Sequence, residues 1–183
     1  MGDPRKQRKK YTKSLHPWQA TRIKEEKILL NEYGLKNKKE IWKSESLLRR
    51  FKSQAKRLIA TKTEQSKKEE EQLIKRLAKL NILNEDSKLD DVLGLTLRNI
   101  LDRRLQTIVS KKFSREIKQA RQFVVHGHVL VNEKKITAPS YLVKKDENIN
   151  FSSKSSLRDI NHPERIILKK ENIEAKEEVK VSS

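Results

Sequence analysis

The sequence contains no cysteine, which excludes disulfides, thiolate zinc sites and cysteine nucleophiles. It has only four glycines, and these form neither a phosphate-cradling loop nor part of a nucleophile motif. No run of about 18 apolar residues occurs, and no apolar stretch follows the basic start of the chain, so we expect neither a membrane span nor a secretory signal. These absences predict a soluble, intracellular protein without a thiol-based or phosphate-loop active site.

Apolar side chains are also scarce, since 34% of the 183 residues are hydrophobic and 5% are aromatic. The length suffices for one sizeable domain or two small ones, but this composition is poor for a free-standing globule. We therefore expect a partner to complete part of the fold. The alternative is that a surface of mixed charge dilutes the apolar fraction of an ordinary core.

Positive charge is abundant, because 44 lysines and arginines stand against 25 acidic residues and give a net charge of +19. A cation of this size is expected to bind a polyanion, either nucleic acid or an anionic membrane surface. Residues 1–60 and 101–150 hold almost the whole excess, whereas residues 61–100 and 151–183 are close to neutral. The two basic stretches are the expected binding regions.

Apolar periodicity predicts helices over residues 19–33, 45–60, 67–80 and 97–110. A shorter helix is expected after Ser114, a good N-cap, with its end at Gly127. Residues 84–97 are expected to form a loop. The helix over 67–80 balances its charges, with acidic residues in its early turns, so we expect it to be structural.

Beyond Gly127 the apolar period shortens from about 3.6 to 2, which is typical of strands. The strand-like segments are Val129 to Val131, Ile136, Tyr141 to Val143 and Ile149 to Phe151. They predict a small twisted, mostly antiparallel sheet on which two helices pack. The expected fold class is α+β, with a helical lobe, this compact module and a basic N-terminal extension.

The chain is expected to divide into several regions. They are a basic extension (1–44), a helical lobe (45–97, with a returning segment at 152–170), the compact module (98–151) and a disordered tail (171–183). The extension opens on a basic run without apolar periodicity, which should become ordered only against phosphate. Nuclear targeting is the alternative reading of that run.

The short helix before Gly127 is expected to be two-sided. At about 100° per residue, one arc is apolar and consists of Ile117, Ala120, Phe123 and Val124. The opposite arc is polar and cationic, with Arg121 at its margin, and consists of Arg115, Lys118, Gln122 and His126. Such a helix can bury one side in protein and offer the other to phosphates.

A family resemblance is carried by Leu101 to Leu105, by the stretch from Ser114 to Gly127, and by the valines and asparagine that follow. These segments resemble the small RNA-binding module named after small-subunit ribosomal protein four. The matching residues are Ala120, Arg121, Val125, His126, Gly127, His128, Val129, Val131 and Asn132, followed by Pro139, Ser140 and Tyr141. Similar modules occur in pseudouridine synthases, tyrosyl-tRNA synthetases and heat-shock ribosome-binding proteins, so the module alone leaves the host open.

The rest of the chain narrows the resemblance to the archaeal branch of the ribosomal protein four family. Its N-terminal extension is similar at Gly2 to Pro4, His16 to Trp18, Tyr33 to Lys38 and Ile41 to Trp42. The sequence departs from the family at Glu133, where a turn glycine is usual. It also lacks the four-cysteine zinc site of some bacterial relatives.

The resemblance implies a structural constituent of the small ribosomal subunit in the cytoplasm, with no enzymatic activity, cofactor or metal. It implies an early-assembling protein that binds a junction of helices in the 5′ domain of small-subunit rRNA. It also implies a position near the mRNA entry path beside ribosomal protein five, with a part in unwinding and decoding accuracy, and no homo-oligomer. The alternatives are an assembly or recycling factor that uses the same module, and a fragment of an RNA-modifying enzyme.

The candidate RNA-binding side chains are mostly basic and come from all of the cationic segments. They are Arg5, Lys6, Arg8, Lys9, Lys10, Trp18, Arg49, Arg50, Lys56, Arg57, Arg103, Arg104, Lys111, Lys112, Arg115, Lys118, Arg121, Gln122, His126 and His128. Two alternatives stay open. Arg103 and Arg104 could instead hold a helix against the sheet, and Trp18 and Trp42 could anchor the extension rather than stack on bases. A metal site at His126 and His128 would lack a third ligand.

Overall fold

The computed structural model describes residue 9 and residues 11–61, 63–159 and 162–164. The α-helices are α1 (Ala20–Glu32), α2 (Lys38–Ala60), α3 (Glu64–Lys79), α4 (Leu89–Gly94), α5 (Leu97–Asp102), α6 (Leu105–Phe113) and α7 (Ile117–Val125). The strands are β1 (Val129–Val131), β2 (Lys134–Lys135) and β3 (Ile149–Phe151), and a 3-10 turn spans Ser156–Arg158. The predictions for Arg5, Lys6, Arg8, Lys10, residues 165–170 and the tail lie outside the described residues.

The helical lobe is built around the apolar stripe of α2. Leu48, Phe51, Ala55 and Leu58 are buried along one side of this helix. They share a core with residues of α3 and α4, including Leu77, which is fully buried. α3 begins with a capping box, in which the Ser66 backbone N–H donates to the Thr63 side chain, and such caps stabilise helix starts.

Two predicted boundaries in this lobe were wrong. α2 begins at Lys38 rather than near residue 45, so it runs without a break across the predicted end of the extension. Residues 84–97 were expected to be a loop, but they contain α4, whose Leu89 and Val92 are buried against α2. A helix of six residues offers too few turns for its periodicity to be recognised in sequence.

The link between α1 and α2 packs against the module through a small separate core. Tyr33, Leu35 and Ile41 from this region are buried together with Leu101 of α5. Gly34, between two of these side chains, has φ +55, and a Cβ built there would collide with the Ile117 side chain. The link can therefore approach α7 this closely only with glycine at residue 34.

The single helix predicted over residues 97–110 is two helices, α5 and α6. The chain becomes extended at Arg104, which has φ −68 and ψ 141. Here the Leu105 backbone N–H donates to the Tyr141 carbonyl at 2.7 Å and the Val143 N–H donates to the Arg103 carbonyl at 3.0 Å. The apolar stripe continues through the break, which is why the periodicity did not reveal it.

The sheet is antiparallel with strand order β2-β1-β3. Val129 and Val131 of β1 and Ile149 of β3 are buried with Phe123 and Val124 of α7 in one core, so the predicted α+β module is confirmed. The predicted strand at Tyr141 to Val143 is instead an extended segment with an isolated bridge between Arg104 and Leu142.

The segment after β3 was expected to return to the helical lobe, but its described part packs on the module. Leu157 is buried in the module core. The Ser152 backbone N–H donates to the His128 carbonyl at 2.7 Å, and the Gln119 side chain donates to the Glu164 carbonyl at 3.0 Å. Pairing of β3 with β1 keeps the chain on the sheet, and Leu157 then meets the nearest apolar surface.

The β1–β2 turn places Asn132 and Glu133 at φ 45 and φ 67. Asparagine tolerates this left-handed conformation, whereas a side chain such as glutamate costs roughly 1–2 kcal/mol there. We predict that Glu133→Gly raises the free energy of unfolding by ~0.5–1 kcal/mol, because the relieved strain exceeds the added entropy of the unfolded chain. Urea denaturation measures this change, and Glu133→Ala, which removes the charge but keeps Cβ, is the control. Equal gains in both variants would contradict a backbone cause.

Candidate nucleic-acid interface

The predicted two-sidedness of α7 is present in the structure. Ala120, Phe123 and Val124 are buried on its inner side. On its outer side Lys118 and Gln122 are exposed, as are Arg115 just before the helix and His126 directly after it, and we call these four residues the α7 face. The predicted N-cap at Ser114 was wrong, because the helix begins after Glu116 and the Ser114 hydroxyl donates to the Glu116 carbonyl at 3.0 Å. Within the described part of the chain, the charged groups of Arg115 and Lys118 have no ion pair or hydrogen bond. The helix is thus held by its apolar side while its free cations face outward.

The end of α7 lies between the two histidines, whose rings stack with their centroids 6.3 Å apart. Gly127 takes φ +73 directly after the helix, so His126 stays exposed at the end of the α7 face. His128 is half-buried, and its Nδ1 lies 2.8 Å from the Ser155 hydroxyl. Among the residues described, no group of three His, Asp or Glu side chains could hold a metal ion.

Arg121, at the margin of this face, belongs to a polar cluster at the junction with α2. Its guanidinium donates to the Glu40 carboxylate at 2.9 Å and to the Gln106 side-chain oxygen at 3.1 Å. Arg104 donates to the other oxygen of the same carboxylate. The fully buried Gln106 amide in turn donates to the Gly34 carbonyl at 3.0 Å and the Ile117 carbonyl at 3.2 Å. We call Glu40, Arg104, Gln106 and Arg121 the Glu40 cluster.

The electrostatics of this cluster favour an ionised Glu40. Burial alone would raise the pKa of Glu40, but the hydrogen bond from Arg121 and the charges of Arg104 and Arg121 outweigh it, so the pKa lies below its ordinary value of 4.5. Burial also lowers the pKa of Arg104, although the charge of Glu40 opposes this shift. One carboxylate therefore pairs with two arginines, Arg104 just before α6 and Arg121 on α7, and compensates one of their two positive charges.

The Glu40 cluster contains two of the predicted RNA-binding residues, Arg104 and Arg121. Arg104 is 3% exposed and its guanidinium is paired with Glu40. It is therefore not accessible for contact with RNA. Arg121 is 24% exposed at its side chain and reaches the surface while its guanidinium is paired with Glu40. Arg103 fits the alternative prediction of a structural role. Its guanidinium donates to the Val143 carbonyl at 3.0 Å and so links the end of α5 to the segment before β3.

Lys111 and Lys112 lie at the end of α6, away from the Glu40 cluster. They line an open cleft of about 490 Å³ together with Arg103. Lys111 also pairs with Asp102 at 3.0 Å, while its side chain stays 65% exposed. Lys112 is exposed as well, so both cations are accessible beside the start of α7.

A second basic surface follows α2, and we call it the α2 groove. Lys9, Arg49, Arg50 and Arg57 line this groove of about 670 Å³. The Thr12 backbone N–H donates to the Ser46 hydroxyl at 3.1 Å, which places the N-terminal arm along the helix. Arg49 and Arg57 pair with Glu45 and Glu69 but remain more than 60% exposed. Lys56, also predicted, is exposed on a neighbouring side of α2.

The two tryptophans differ in their surroundings. Trp18 is 89% exposed, so its ring is free to stack on a partner. Trp42 donates its indole N–H to the Glu26 carboxylate at 3.0 Å and stacks on Tyr11, with ring centroids 6.0 Å apart. The anchoring alternative therefore applies to Trp42, which ties α2 to α1 and to the arm.

Sequence reasoning did not find Glu40 or Gln106. Glu40 sits in the first turn of α2, where acidic residues are common because of the helix dipole. Its partners lie 64 and 81 residues further along the chain, and no local pattern reports such a distance. Gln106 offered no signal in the sequence, because glutamine is usually exposed and only the structure shows that this one is buried.

Comparison with known proteins assigns the class of the module first. The family described as the S4 domain matches residues 103–149, which include the α7 face and most of the Glu40 cluster. In the described residues no helix has the length and apolar character needed to cross a membrane.

Relatives named small ribosomal subunit protein uS4 match most of the chain. The protein of Methanothermobacter thermautotrophicus is 50% identical over 161 residues, covering 86% of this chain and 94% of its own length. That of Methanococcus aeolicus is 52% identical over 169 residues (90% and 96%), and that of Ignicoccus hospitalis is 49% identical over 148 residues (80% and 89%). The chain belongs to the uS4 family, in its archaeal branch.

Proposed function

We propose that the protein is a structural, non-enzymatic constituent of the small ribosomal subunit in the cytoplasm and binds the rRNA of that subunit. The observation that carries the proposal is the α7 face, where Lys118 on the helix and Arg115 just before it are exposed and, among the described residues, have no ion pair. Structured RNA is bound largely through phosphates and shape. A rigid row of free cations is suited to that task.

The α2 groove supports a second contact with the same RNA. Arg49, Arg50 and Arg57 stand along one helix beside Lys9 of the arm. Two of these arginines keep acidic neighbours, which hold the guanidinium groups in place without burying them. Glu40 lies in the first turn of α2 and pairs with Arg121 of α7, so the cluster can fix the relative orientation of the helices that carry the two surfaces.

The finer assignments rest on the family resemblance. We propose that the protein binds early to a helix junction in the 5′ domain of the rRNA and nucleates assembly there. We also propose that it lies near the mRNA entry path, beside ribosomal protein five, and contributes to decoding accuracy as a single copy. The basic arm and the α2 groove offer sufficient charge for contacts with more than one RNA segment.

Sedimentation of subunits from the source cell tests the proposal. A structural constituent is expected to stay with small subunits through a sucrose gradient in high salt, in an amount equal to that of other constituents. Mass spectrometry of the gradient fractions measures that ratio. Release by high salt, or enrichment on precursor particles alone, would favour an assembly or recycling factor with the same module.

A further inference from the structure

A cleft of about 520 Å³ opens between α7 and the link that joins α1 to α2. Its volume lies within the ~300–1,000 Å³ typical of small-molecule sites. One wall is formed by the α7 residues Lys118, Gln122, Val125 and His126, and the other by Leu30, Asn31, Leu35 and Lys36. The cleft thus joins the α7 face to a part of the chain outside the S4 domain.

Val125 gives this cleft an apolar wall inside a cationic surface. The side chain is 51% exposed, and it follows Lys118 by two helical turns and precedes His126. Leu30 is half-buried on the opposite wall, where Leu35 is almost fully buried. A single exposed valine is ordinary on a protein surface. Here, however, it faces two leucines across a gap and forms an apolar slot with them.

The rim of the slot is polar and has basic side chains, among them Arg121, whose charge is engaged by Glu40. Lys36 stands on one wall and Lys118 and His126 on the other, and none of the residues lining the cleft is acidic. Asn31 and Gln122 are exposed at the same rim, and within the described residues their amide groups make no hydrogen bond. An amide offers one acceptor and two donors, which suits the edge of a nucleobase.

We propose that this cleft receives one unpaired nucleotide of the bound RNA. The base packs between Val125 and the two leucines, Asn31 and Gln122 read its edge, and Lys36 and Lys118 neutralise the adjoining phosphates. The inference rests on the proposed function and deepens it, because it assigns recognition of a single base to a protein that otherwise binds the RNA backbone. A base inside a duplex cannot enter such a slot, so the ligand is a bulged or looped nucleotide.

Charge complementarity selects RNA over a polypeptide as the occupant. A rim with two free lysines, Lys36 and Lys118, and no acid favours a ligand that carries a phosphate on either side of its apolar part. The slot is also contiguous with the α7 face through Lys118 and Gln122. A bound strand can therefore pass from the phosphate contacts of that face directly into the cleft.

The test compares Val125→Thr with Ile28→Thr in the full-length chain. Both replace an exposed β-branched residue on a helix, and Ile28, 60% exposed on α1, does not line the cleft. Affinity for native small-subunit rRNA is measured by filter binding at several salt concentrations. Val125→Thr is expected to bind about fivefold more weakly with an unchanged salt slope, because an apolar contact and not an ionic one is lost. Ile28→Thr should bind like the wild type.

Base-specific chemical probing of the same rRNA gives the second measurement. One nucleotide that is reactive in free rRNA is expected to be protected by the wild type and to become reactive again with Val125→Thr and with Gln122→Ala. Wild-type affinity and an unchanged footprint in these variants would overturn the nucleotide site while leaving the proposed function intact. Failure of the wild type itself to bind the rRNA would instead overturn the proposed function.

Discussion

A triple variant with Lys112, Arg115 and Lys118 changed to glutamine is expected to bind small-subunit rRNA about a hundredfold more weakly at 0.1 M salt. Each phosphate contact by a cation releases counterions and contributes roughly 0.7–0.9 to the slope of log K against log salt concentration. Loss of three contacts should therefore flatten the slope by about 2–3. Filter binding over a range of salt concentrations measures both quantities.

The control for this variant removes the same charge from a surface that is expected to be structural. Lys67, Lys68 and Lys79 lie exposed on α3, in the charge-balanced part of the chain. Their joint replacement by glutamine should leave the affinity within about twofold, because distant charges are screened at this salt concentration. Arg121 is left unchanged because its removal would disturb the Glu40 cluster as well. Equal losses of affinity in the two variants would show that the α7 face is not the binding surface.

Glu40→Gln is expected to lower the free energy of unfolding by about 3 kcal/mol, because the buried Arg104 then lacks an opposite charge. The substitution keeps the shape of the side chain, so packing is hardly altered. The matched control is Glu71→Gln, which removes the same charge from the exposed pair with Lys75 and should cost about 0.5 kcal/mol or less. Urea denaturation at neutral pH compares the two.

The pH dependence of this effect has a definite sign. Since the folded state lowers the pKa of Glu40, the contribution of its charge is present above the ordinary value of 4.5 and is lost as the pH falls through the folded value. The stability difference between the wild type and Glu40→Gln should therefore shrink below pH 4.5. A difference that is constant from neutral pH to pH 3 would show that the charge of Glu40 is not its cause.

Sequence patterns predicted the parts of the fold that depend on local periodicity. The apolar stripe of α2, the two sides of α7 and the hairpin after Gly127 all follow from side chains a few residues apart. Of the cations of the α7 face, Lys118 lies on the outer side of the helix as its spacing predicted, whereas Arg115 precedes the helix. Their contact with RNA stays a prediction.

Features that depend on distant parts of the chain could not be predicted. The break between α5 and α6 is set by backbone hydrogen bonds to Tyr141 and Val143, far along the sequence. Arginine is usually exposed, but Arg104 is buried because its guanidinium pairs with the Glu40 carboxylate. The short helix α4 exists because α2 offers an apolar surface to Leu89 and Val92, which is a tertiary effect.

The position of Gln106 limits how this protein can be divided for study. Its amide binds the carbonyl of Gly34, and its neighbour Leu101 is covered by Tyr33 and Ile41. A fragment trimmed to residues 103–149 would remove the Gly34 acceptor of that amide and would also lack the core that Leu101 forms with Tyr33 and Ile41. A unit that folds on its own is therefore expected to include residues 33–41 and so to begin well before the S4 domain.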